Sequence, residues 1–329
     1  MEVCVETTNR IMAFVGCGFV GAAAGKVFSE RGRSVVFCDP KSDVRGKLGR
    51  QGYKVCRPEH LKDVGATVFM ISVPTLTIGS EIDLRCIRDA AANVGRSIRG
   101  KKDFPLIVIR STVLPGMTEE IVRPILEEYS GMIAGKGFGL CMNPEFLREG
   151  DRAVGDFENP KLILIGEVNP KSGRLLEKEY TGSGFTRCPI RRVSLEMAEA
   201  QKYAHNLENA VAISLHNELR MVLLKRGFTD SEINEVFALT AVTAESAYNT
   251  GYGRKNLGPF AKSCLPKDTQ AFLTYAETVL GMPMPVLAGS VEVNEMMKDL
   301  WNPEAGAIRF PERKNPRFAL VANKEDVVV

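Results

Sequence analysis

The stretch GCGFVG at residues 16–21 constrains this chain more than any other part of its sequence. It directly follows a short apolar run, IMAFV at 11–15, and opens an alanine-rich segment. Gly16, Gly18 and Gly21 permit a tight turn, a close backbone approach to a pyrophosphate and close packing of a helix on a strand. The helix N-terminus then offers amide hydrogens and the positive end of its dipole to the anion. The pattern predicts a strand–turn–helix unit that binds a dinucleotide; the alternative is a glycine-rich turn that binds nothing.

Asp39 completes this pattern at the end of the next apolar run, SVVFCD at 34–39. A carboxylate there can accept both ribose hydroxyls of NAD and would repel the 2′-phosphate of NADP. NAD is therefore the expected cofactor. Lys41 and Arg45 follow closely and can meet a phosphate, so NADP stays an alternative.

Short β-branched runs alternate with helix-like segments over the first ~190 residues, which is typical of an α/β protein with a parallel sheet. The runs are continuously apolar, as expected when helices cover both faces of the sheet. Candidate strands lie at 11–15, 34–39, 67–74, 106–113, 140–144 and 162–166.

A long helix is predicted after this region, with Ser194 as its cap and Gly227 as its stop. Its ~32 residues would extend ~48 Å at 1.5 Å per residue, so we expect a spine between domains or subunits. TDSE at 229–232 has the form of a capping box that starts the next helix, and helices continue to about Trp301. The predicted organisation is a Rossmann-type NAD-binding domain at 1–193, the long helix with an all-α dimerisation domain at 194–301, and a tail at 302–329.

Composition excludes several classes of function. Basic and acidic residues number 43 and 40, and no basic run or aromatic-basic pattern predicts nucleic-acid binding. The longest apolar runs fall far short of the ~20 residues that span a bilayer. The first ten residues lack an apolar signal core, and the eight cysteines form no CxxC pair, so we expect a cytoplasmic protein with reduced thiols. None of the three histidines is paired with cysteines at ligand spacing, and no metal site is predicted.

Several further motifs follow the glycine loop: VPTLTIGSEIDL (73–84), STVLPGMT (111–118), NPEFLREG (143–150), EAQKYAHN (199–206) and SCLPKD (263–268). With the glycine loop they closely resemble the UDP-glucose/GDP-mannose dehydrogenase family over about residues 11–299. The resemblance implies oxidation of a sugar's primary alcohol to a carboxylate, with two NAD consumed and no release of the aldehyde.

Cys264 matches the nucleophile of this family. Removing four electrons from one carbon requires that the aldehyde be trapped, so that a second hydride can leave. A cysteine does this as a thiohemiacetal and then as a thioester, which water hydrolyses. Outside such a motif, a cysteine is more often a small buried hydrophobe. Asp268 lies one helical turn beyond Cys264 and is suited to proton transfer through a water, whereas Lys267 is expected to contact substrate.

Lys202 and Asn206 stand four residues apart on the predicted long helix, so they point to a common spot where they can hold an oxyanion. Without the family match, a solvated helix face would be the simpler interpretation. The resemblance further implies that Thr112 helps to hold the water, that Glu149 is the base for thioester hydrolysis and that Glu145 assists near the nicotinamide.

Together these assignments define three predicted sets of site residues. The catalytic set is Cys264, Lys202, Asn206, Asp268, Glu149, Glu145 and Thr112. Cofactor contacts are predicted at Gly16, Gly18, Phe19, Val20, Gly21, Asp39, Val73, Thr75, Thr112 and Glu145. Substrate contacts are predicted at Phe146, Leu147, Glu149, Lys202, Asn206, Lys262 and Lys267.

The sequence departs from the family pattern in two ways. Ala261 and Lys262 occupy the places of two glycines that usually precede the cysteine. Family members also usually continue into a second nucleotide-binding-type domain that holds the UDP or GDP of the substrate, which we expect to be missing here. The expected substrate is therefore an atypical or smaller sugar or nucleotide sugar, unless a partner chain supplies the missing part.

Two other functions remain as alternatives. A single-step hydroxyacid dehydrogenase also joins a Rossmann domain to helices with a Lys-xxx-Asn pair, but it needs no thiol. A non-catalytic NAD-binding partner protein is the second. The intact set of catalytic residue types argues against it.

The long helix predicts a homodimer through residues ~194–299. Its apolar positions lie on more than one side (AVAISL, MVLL), and the family resemblance points to the same assembly.

Overall fold

The computed structural model describes residues 10–78, 81–148, 150, 152–254, 258–261 and 264–309. The chain forms two compact units, Met1–His205 and Asn206–Val329. The domain limits predicted at residues 193 and 301 stay a prediction. The strand-like run RFALVA near the C-terminus lies outside the described residues.

The first unit is built on an eight-stranded sheet. Its strands are β1 (Met12–Val15), β2 (Val35–Cys38), β3 (Lys54–Cys56), β4 (Val68–Ile71), β7 (Leu106–Ile109), β8 (Gly139–Met142), β9 (Ile163–Glu167) and β10 (Ile190–Ser194), while β5 (Thr77–Ile78) and β6 (Glu81–Ile82) form a separate hairpin. The order across the sheet is β10-β9-β8-β7-β4-β1-β2-β3. All neighbours are parallel except β8 and β9, so β9 and β10 run against the other six strands.

All six predicted strands are present, because each is an apolar run buried between helices. The order places β1 between β2 and β4, where the chain changes its direction of travel across the sheet. In open α/β sheets, ligands bind at such a switch point, beside the carboxyl ends of the strands. The glycine loop after β1 lies at this point.

Helices cover the sheet. They are α1 (Phe19–Glu30), α2 (Ser42–Arg50), α3 (Arg85–Ile98), α4 (Arg123–Ser130), α5 (Ala153–Glu158) and α6 (Pro170–Thr181), with a 3₁₀ segment at Pro58–Val64 and a π-helical turn at Thr118–Val122. A cluster of buried rings joins α1 and α6 to the sheet: Phe28 contacts Phe14, Phe157, Tyr180 and Phe185, with ring centroids 5.4–6.1 Å apart. These side chains bury large apolar areas, and this burial is the main force that holds the helices on the sheet.

Helix α7 (Leu195–Arg226) has the 32 residues expected from the sequence. The Ser194 hydroxyl accepts a hydrogen bond from the Met197 amide at 3.2 Å, and Gly227 ends the helix with a φ of +105°. A left-handed residue after the last turn is the common way to end a helix, and glycine adopts it without strain. Both predicted ends of the helix are confirmed.

The second unit contains α8 (Asp230–Thr243), α9 (Glu245–Tyr248), α10 (Cys264–Thr274) and α11 (Pro285–Leu300), with a π-helical turn at Tyr275–Val279 and a small hairpin of β11 (Trp301–Asn302) and β12 (Ala307–Ile308). The capping box predicted at Thr229 and Glu232 is formed. A small core of Val222, Leu273, Ala276 and Met284 holds the helices together. The buried Glu218 carboxylate accepts hydrogen bonds from the amides of Val286 and Leu287, which caps the first turn of α11.

Large apolar side chains are exposed on α7 and α8 within this second unit. They include Leu207, Val211, Ile213, Leu239 and Val242. Large apolar side chains that cluster on a protein surface commonly mark an interaction site. Among the helices of the described part of the chain, none is long and apolar enough to cross a membrane.

Candidate active site

The glycine loop fits tightly against the end of β4. Gly16 has a φ of +85°, and a Cβ atom at this position would lie 2.7 Å from the Ser72 carbonyl oxygen and 2.8 Å from a Val73 methyl group. A Cβ atom on Gly21 would lie 2.0 Å from the Gly16 carbonyl oxygen. Both positions therefore require glycine: the first for its backbone conformation and the space beside it, the second for space alone. This packing also brings Val73, a predicted cofactor contact, beside the loop.

Gly18 differs from the other two glycines because the space beside it is open. A Cβ atom there would meet no atom within 4 Å, and Gly18 is exposed at the N-cap of α1 without a side-chain cap. The amides of Phe19 and Val20 open the helix, and Phe19 is exposed. An uncapped helix N-terminus beside an open glycine is suited to a phosphate, so the loop fits the diphosphate of a dinucleotide.

Asp39 is tied to the glycine loop. Its carboxylate accepts hydrogen bonds from the Cys17 amide at 2.8 Å and from the Lys41 amide at 2.9 Å. Each carboxylate oxygen has two acceptor sites, so both oxygens can still receive a ribose hydroxyl. The Arg45 guanidinium donates to the backbone carbonyls of Asp39 and Pro40 at 2.6 and 2.7 Å. These two hydrogen bonds hold the Arg45 side chain against the backbone of Asp39 and Pro40.

The loops after β4 and β7 are joined by two hydrogen bonds. The Ser111 hydroxyl donates to the Val73 carbonyl at 2.7 Å, and the Thr75 hydroxyl donates to the Thr112 carbonyl at 2.6 Å. Two separate motifs are thereby brought together at the carboxyl edge of the sheet: the one that carries Val73 and Thr75, and the one that carries Thr112. The edge continues from the glycine loop across β4 to β7.

Lys202 and Glu145 form an ion pair that is almost buried. The Lys202 ammonium lies 3.2 Å from Glu145 Oε1, and it also donates to the Glu145 backbone carbonyl. The Leu147 amide donates to Glu145 Oε2 at 2.7 Å, so both carboxylate oxygens are engaged. The motif NPEFLREG, which follows β8, is thereby attached to α7.

Phe146 and Leu147 have different surroundings, although both were predicted to contact substrate. The Phe146 ring lies 5.4 Å from the Lys202 ammonium and 5.0 Å from the His205 ring, which it meets edge to face. Leu147 packs against the hydrophobic core of the first unit. Phe146 is therefore beside a predicted catalytic residue, whereas Leu147 anchors the motif.

Glu199 was not predicted as a site residue, yet it fixes one of the motifs. Its buried carboxylate accepts hydrogen bonds from the amides of Gly116 and Thr118 at 2.6 and 2.8 Å. Burial raises the pKa of this carboxyl. Glu199 thus holds the loop that carries Thr112 against α7. The sequence contains one indication of this role: Glu199 lies three residues before Lys202, so the two side chains share one face of the helix.

A second group that sequence reasoning missed lies under the motif NPEFLREG. The buried Arg110 guanidinium donates to Asn143 Oδ1 and to the Tyr180 hydroxyl, and the Asn143 amide donates to the Leu164 carbonyl at 2.7 Å. Burial raises the pKa of the Tyr180 hydroxyl. The network fixes Asn143 two residues before Glu145, and so positions the start of the motif.

Cys264, Lys267 and Asp268 lie on the first turns of α10 in the second unit. Cys264 is exposed and is not in a disulfide. The Lys267 ammonium donates to Asp268 Oδ1 at 2.6 Å, and both side chains are exposed. Asp268 follows Cys264 by four residues, which places them one turn apart on the same helix face. Asn206, one turn beyond Lys202 on α7, is also exposed.

Two predicted site residues, Glu149 and Lys262, lie outside the described residues. Within the described ranges, no group of three or more histidine, cysteine, aspartate or glutamate side chains could hold a metal ion.

Two family models match the chain. The NAD binding domain of the UDP-glucose/GDP-mannose dehydrogenase family matches residues 57–182, and the central domain of the same family matches residues 196–296. The glycine loop precedes the first matched range, so the support for a dinucleotide there comes from its geometry. The two matched ranges together cover more than half of the chain.

Individual relatives agree with these models. The GDP-mannose 6-dehydrogenase of Azotobacter vinelandii is 33% identical over 306 residues, which are 87% of this chain and 68% of that protein. The UDP-glucose 6-dehydrogenase of Haloferax volcanii is 30% identical, with 86% of this chain and 69% of that protein covered. The chain thus spans a little over two thirds of the length of these relatives.

Solved structures show the same likeness. A ternary complex of GDP-mannose dehydrogenase from Pseudomonas aeruginosa superposes with a TM-score of 0.79 at 30% identity, over 88% of this chain and 69% of that one. A variant imine reductase from Myxococcus stipitatus in complex with NAD⁺ superposes with a TM-score of 0.66 at 15% identity, which supports the fold alone.

Proposed function

Because the chain belongs to the UDP-glucose/GDP-mannose dehydrogenase family, we propose that it oxidises the primary alcohol of a nucleotide sugar to a carboxylate, with NAD as oxidant and Cys264 as nucleophile. The observation that carries the proposal is the contact between Lys202 and Glu145. It joins two of the motifs that define the family resemblance, NPEFLREG and EAQKYAHN, in a buried ion pair. An ordinary solvated lysine on a helix would make no such contact.

The carboxyl edge of the sheet is the part of the chain that would hold NAD. The glycine loop and the first turn of α1 fit the diphosphate, and Asp39 fits the ribose hydroxyls. Val73, Thr75 and Thr112 continue this edge toward Glu145. When bound, NAD supplies the hydride acceptor, and all other roles fall to side chains of this protein.

Lys202 is suited to stabilise negative charge on the substrate oxygen. An ammonium has three N–H donors, of which Glu145 receives two through its carbonyl and Oε1. The third is available to an oxyanion, and in a buried position such a contact is stronger than in water. Asn206 would add an amide donor from the next turn of α7.

Cys264 would form the covalent adduct. Its sulfur adds to the carbon of the aldehyde produced by the first oxidation, and the oxygen of that aldehyde becomes the hydroxyl of a thiohemiacetal. Loss of a second hydride and of the hydroxyl proton gives a thioester. Water then adds to the thioester carbon, the carbon–sulfur bond breaks, and the carboxylate leaves while the thiol is restored. Asp268, one turn from Cys264 on α10, would move protons through a water, and Glu149 would be the base for the hydrolysis.

The region before Cys264 is where we expect specificity to differ. Ala261 and Lys262 stand in place of the two glycines that are usual in the family. A lysine at such a place adds volume and a positive charge, which favours an atypical substrate with an anionic group. Lys267, on the first turns of α10, is a further candidate for this contact.

A homodimer through the second unit is part of the proposal. The exposed apolar side chains of α7 and α8 would be covered by the same surface of a second copy. Symmetric pairing of one surface with itself is the commonest way in which soluble proteins form dimers.

A substrate panel tests the proposal. The purified chain is mixed with NAD and, separately, with GDP-mannose, UDP-glucose, a nucleoside, a free sugar and a simple hydroxy acid, and NADH formation is followed by absorbance. We expect NADH from at least one nucleotide sugar, and the carboxylate is identified by mass spectrometry. NADH formation from the hydroxy acid alone would favour a single-step dehydrogenase instead.

A further inference from the structure

Three cysteines surround the ribose side of the dinucleotide site, and none has a role in the proposed reaction. Cys17 is the second residue of the glycine loop, Cys38 is the last residue of β2, and Cys56 is the last residue of β3. Asp39 directly follows Cys38. The cluster therefore lies at the carboxyl ends of adjacent strands, beside the carboxylate that fits the ribose.

Cys38 and Cys56 are direct partners in the sheet. β2 and β3 pair in parallel, and the register places the Cα atoms of Cys38 and Cys56 opposite each other. Neighbouring strands lie about 4.8 Å apart, and their opposed side chains point to the same face of the sheet. The Cα atoms of a disulfide lie about 4.4–6.8 Å apart, so this pair has the spacing that a disulfide needs. β3 is the edge strand of the sheet, with exposed Lys54 and Val55, and can adjust to a new bond with little loss of packing.

The two thiols differ in environment. Cys38 is buried, and its interaction with the neighbouring Cys56 thiol together with burial raises the pKa of Cys38. The same interaction lowers the pKa of Cys56, which is only partly buried, and the nearby Arg45 charge acts in the same direction. Cys56 is thus the more accessible and the more acidic of the two thiols, and Cys38 is the buried partner beside it.

The cysteine pair is connected to Asp39 through the backbone. The Asp39 amide donates a hydrogen bond to the Cys56 carbonyl at 3.4 Å, and the Asp39 carboxylate accepts a hydrogen bond from the Cys17 amide. The Cys17 sulfur also lies 3.4 Å from the Cys38 carbonyl oxygen. A shift of β3 toward β2 would therefore move a hydrogen-bond partner of Asp39 and disturb its contact with the glycine loop.

We propose that Cys56 and Cys38 form a redox modification site, in which hydrogen peroxide converts the two thiols into a disulfide and thereby weakens NAD binding. The proposal concerns cofactor binding and does not depend on which alcohol the protein oxidises.

The step balances with peroxide as the only oxidant. The Cys56 sulfur attacks one peroxide oxygen, the O–O bond breaks and hydroxide leaves, which gives a sulfenic acid on Cys56. The Cys38 sulfur then attacks the Cys56 sulfur, the S–O bond breaks, and the hydroxyl leaves as water with the proton of the Cys38 thiol. In total, the two thiols lose two electrons and two protons, and one peroxide becomes two waters.

The experiment treats the purified full chain with hydrogen peroxide, blocks the remaining thiols and measures two properties. Non-reducing tryptic mapping should recover peptides 34–41 and 55–62 joined through Cys38 and Cys56. Calorimetric titration should show NAD bound roughly tenfold more weakly, the factor expected when one or two hydrogen bonds are weakened, with recovery after dithiothreitol.

Variants separate this site from general oxidation. Cys56→Ser should keep its NAD affinity after peroxide, and Cys38→Ser should do the same, so a folding defect in one variant leaves the other as a test. Cys86→Ser, which removes an exposed cysteine of α3, should respond as the wild type does. The proposal is overturned if the joined peptide is absent, if it forms without a change in NAD affinity, or if Cys56→Ser loses affinity as the wild type does.

Discussion

The Lys202 ammonium lies 3.2 Å from Glu145 Oε1 and donates to the backbone carbonyl of the same residue. Two motifs that are 57 residues apart in sequence are thereby joined at one point of the first unit. The side chains of both residues are largely buried, so the pair is shielded from water and salt. The contact fixes the position of the ammonium, whose remaining N–H we propose to be the donor to a substrate oxyanion.

Lys202→Met should therefore affect both stability and turnover. Removing one member of a buried pair leaves the other without its partner, which typically costs about 3–5 kcal/mol of folding free energy. Loss of a donor to a developing oxyanion should lower kcat by about 10²-fold or more, with a smaller change in KM. Lys225→Met, an exposed change on the same helix, is the control and should leave kcat and the unfolding midpoint near wild type. A Lys202→Met enzyme with normal kcat would show that the ammonium does not serve the reaction.

Gly16→Ala tests the glycine loop. The new methyl group would lie 2.7 Å from the Ser72 carbonyl oxygen, on a backbone with a φ of +85°. We expect loss of roughly 3 kcal/mol or more in unfolding free energy and of most NAD affinity. Gly32→Ala is the matched control, because Gly32 has a φ of +82° but open space around it. It should cost only the ~1–2 kcal/mol of the backbone conformation and leave NAD affinity unchanged. Equal losses in the two variants would mean that the contact with Ser72 is unimportant.

The parts of the fold that sequence could predict are those with a strong local pattern. Six apolar runs gave six strands, and Ser194, Gly227 and the capping box at Thr229 marked helix ends. β3 and β10 could not be predicted, because KVC and IRRVS are short edge strands with exposed charges and no apolar run. The reversed direction of β9 and β10 is set by how the chain returns to the sheet, which local pattern does not encode.

The same distinction applies to the candidate site. The glycine loop, Asp39, Lys202 and Glu145 belong to motifs whose spacing is itself informative. Glu199 and Arg110 act through partners far along the chain: the Gly116 and Thr118 amides for Glu199, and Asn143 and Tyr180 for Arg110. A long-range hydrogen bond of this kind leaves no periodic trace in a single sequence.

The ion pair of Asp156 with Arg148 predicts how the stability of the fold changes with pH. Hydrogen bonds from the Arg148 guanidinium and amide lower the pKa of the Asp156 carboxyl to about 2. Because the pKa is lower in the folded than in the unfolded state, the pair stabilises the fold above the unfolded pKa of about 3.9, and this stability is lost as pH falls toward 2. Asp156→Asn should therefore lower Tm at pH 7, and the difference from wild type should vanish between about pH 4 and pH 2. Asp43→Asn, an exposed change on α2, serves as the control. A difference that persists unchanged at pH 2 would contradict this account of the ion pair.

The exposed apolar surface of α7 and α8 predicts the state of assembly. We expect light scattering to give a dimer mass at micromolar concentration. The double change Leu239→Asp with Val242→Asp puts two charges on that surface and should shift the mass to that of a monomer. Met197→Asp, an exposed apolar position in the first unit, is the control and should remain dimeric. A wild-type monomer at micromolar concentration would refute the homodimer.

The central claim is that one carbon is oxidised twice while it is held on Cys264. The most direct test is the molar ratio of NADH formed to sugar alcohol consumed at complete turnover, measured for wild type, Cys264→Ser and the control Cys86→Ser, with the products identified by mass spectrometry. We predict two NADH and one carboxylate for each sugar with wild type and Cys86→Ser, and no carboxylate with Cys264→Ser, because a hydroxyl in place of the thiol cannot sustain the adduct at a useful rate. A ratio of one with the aldehyde as product, or undiminished carboxylate from Cys264→Ser, would contradict the thioester mechanism.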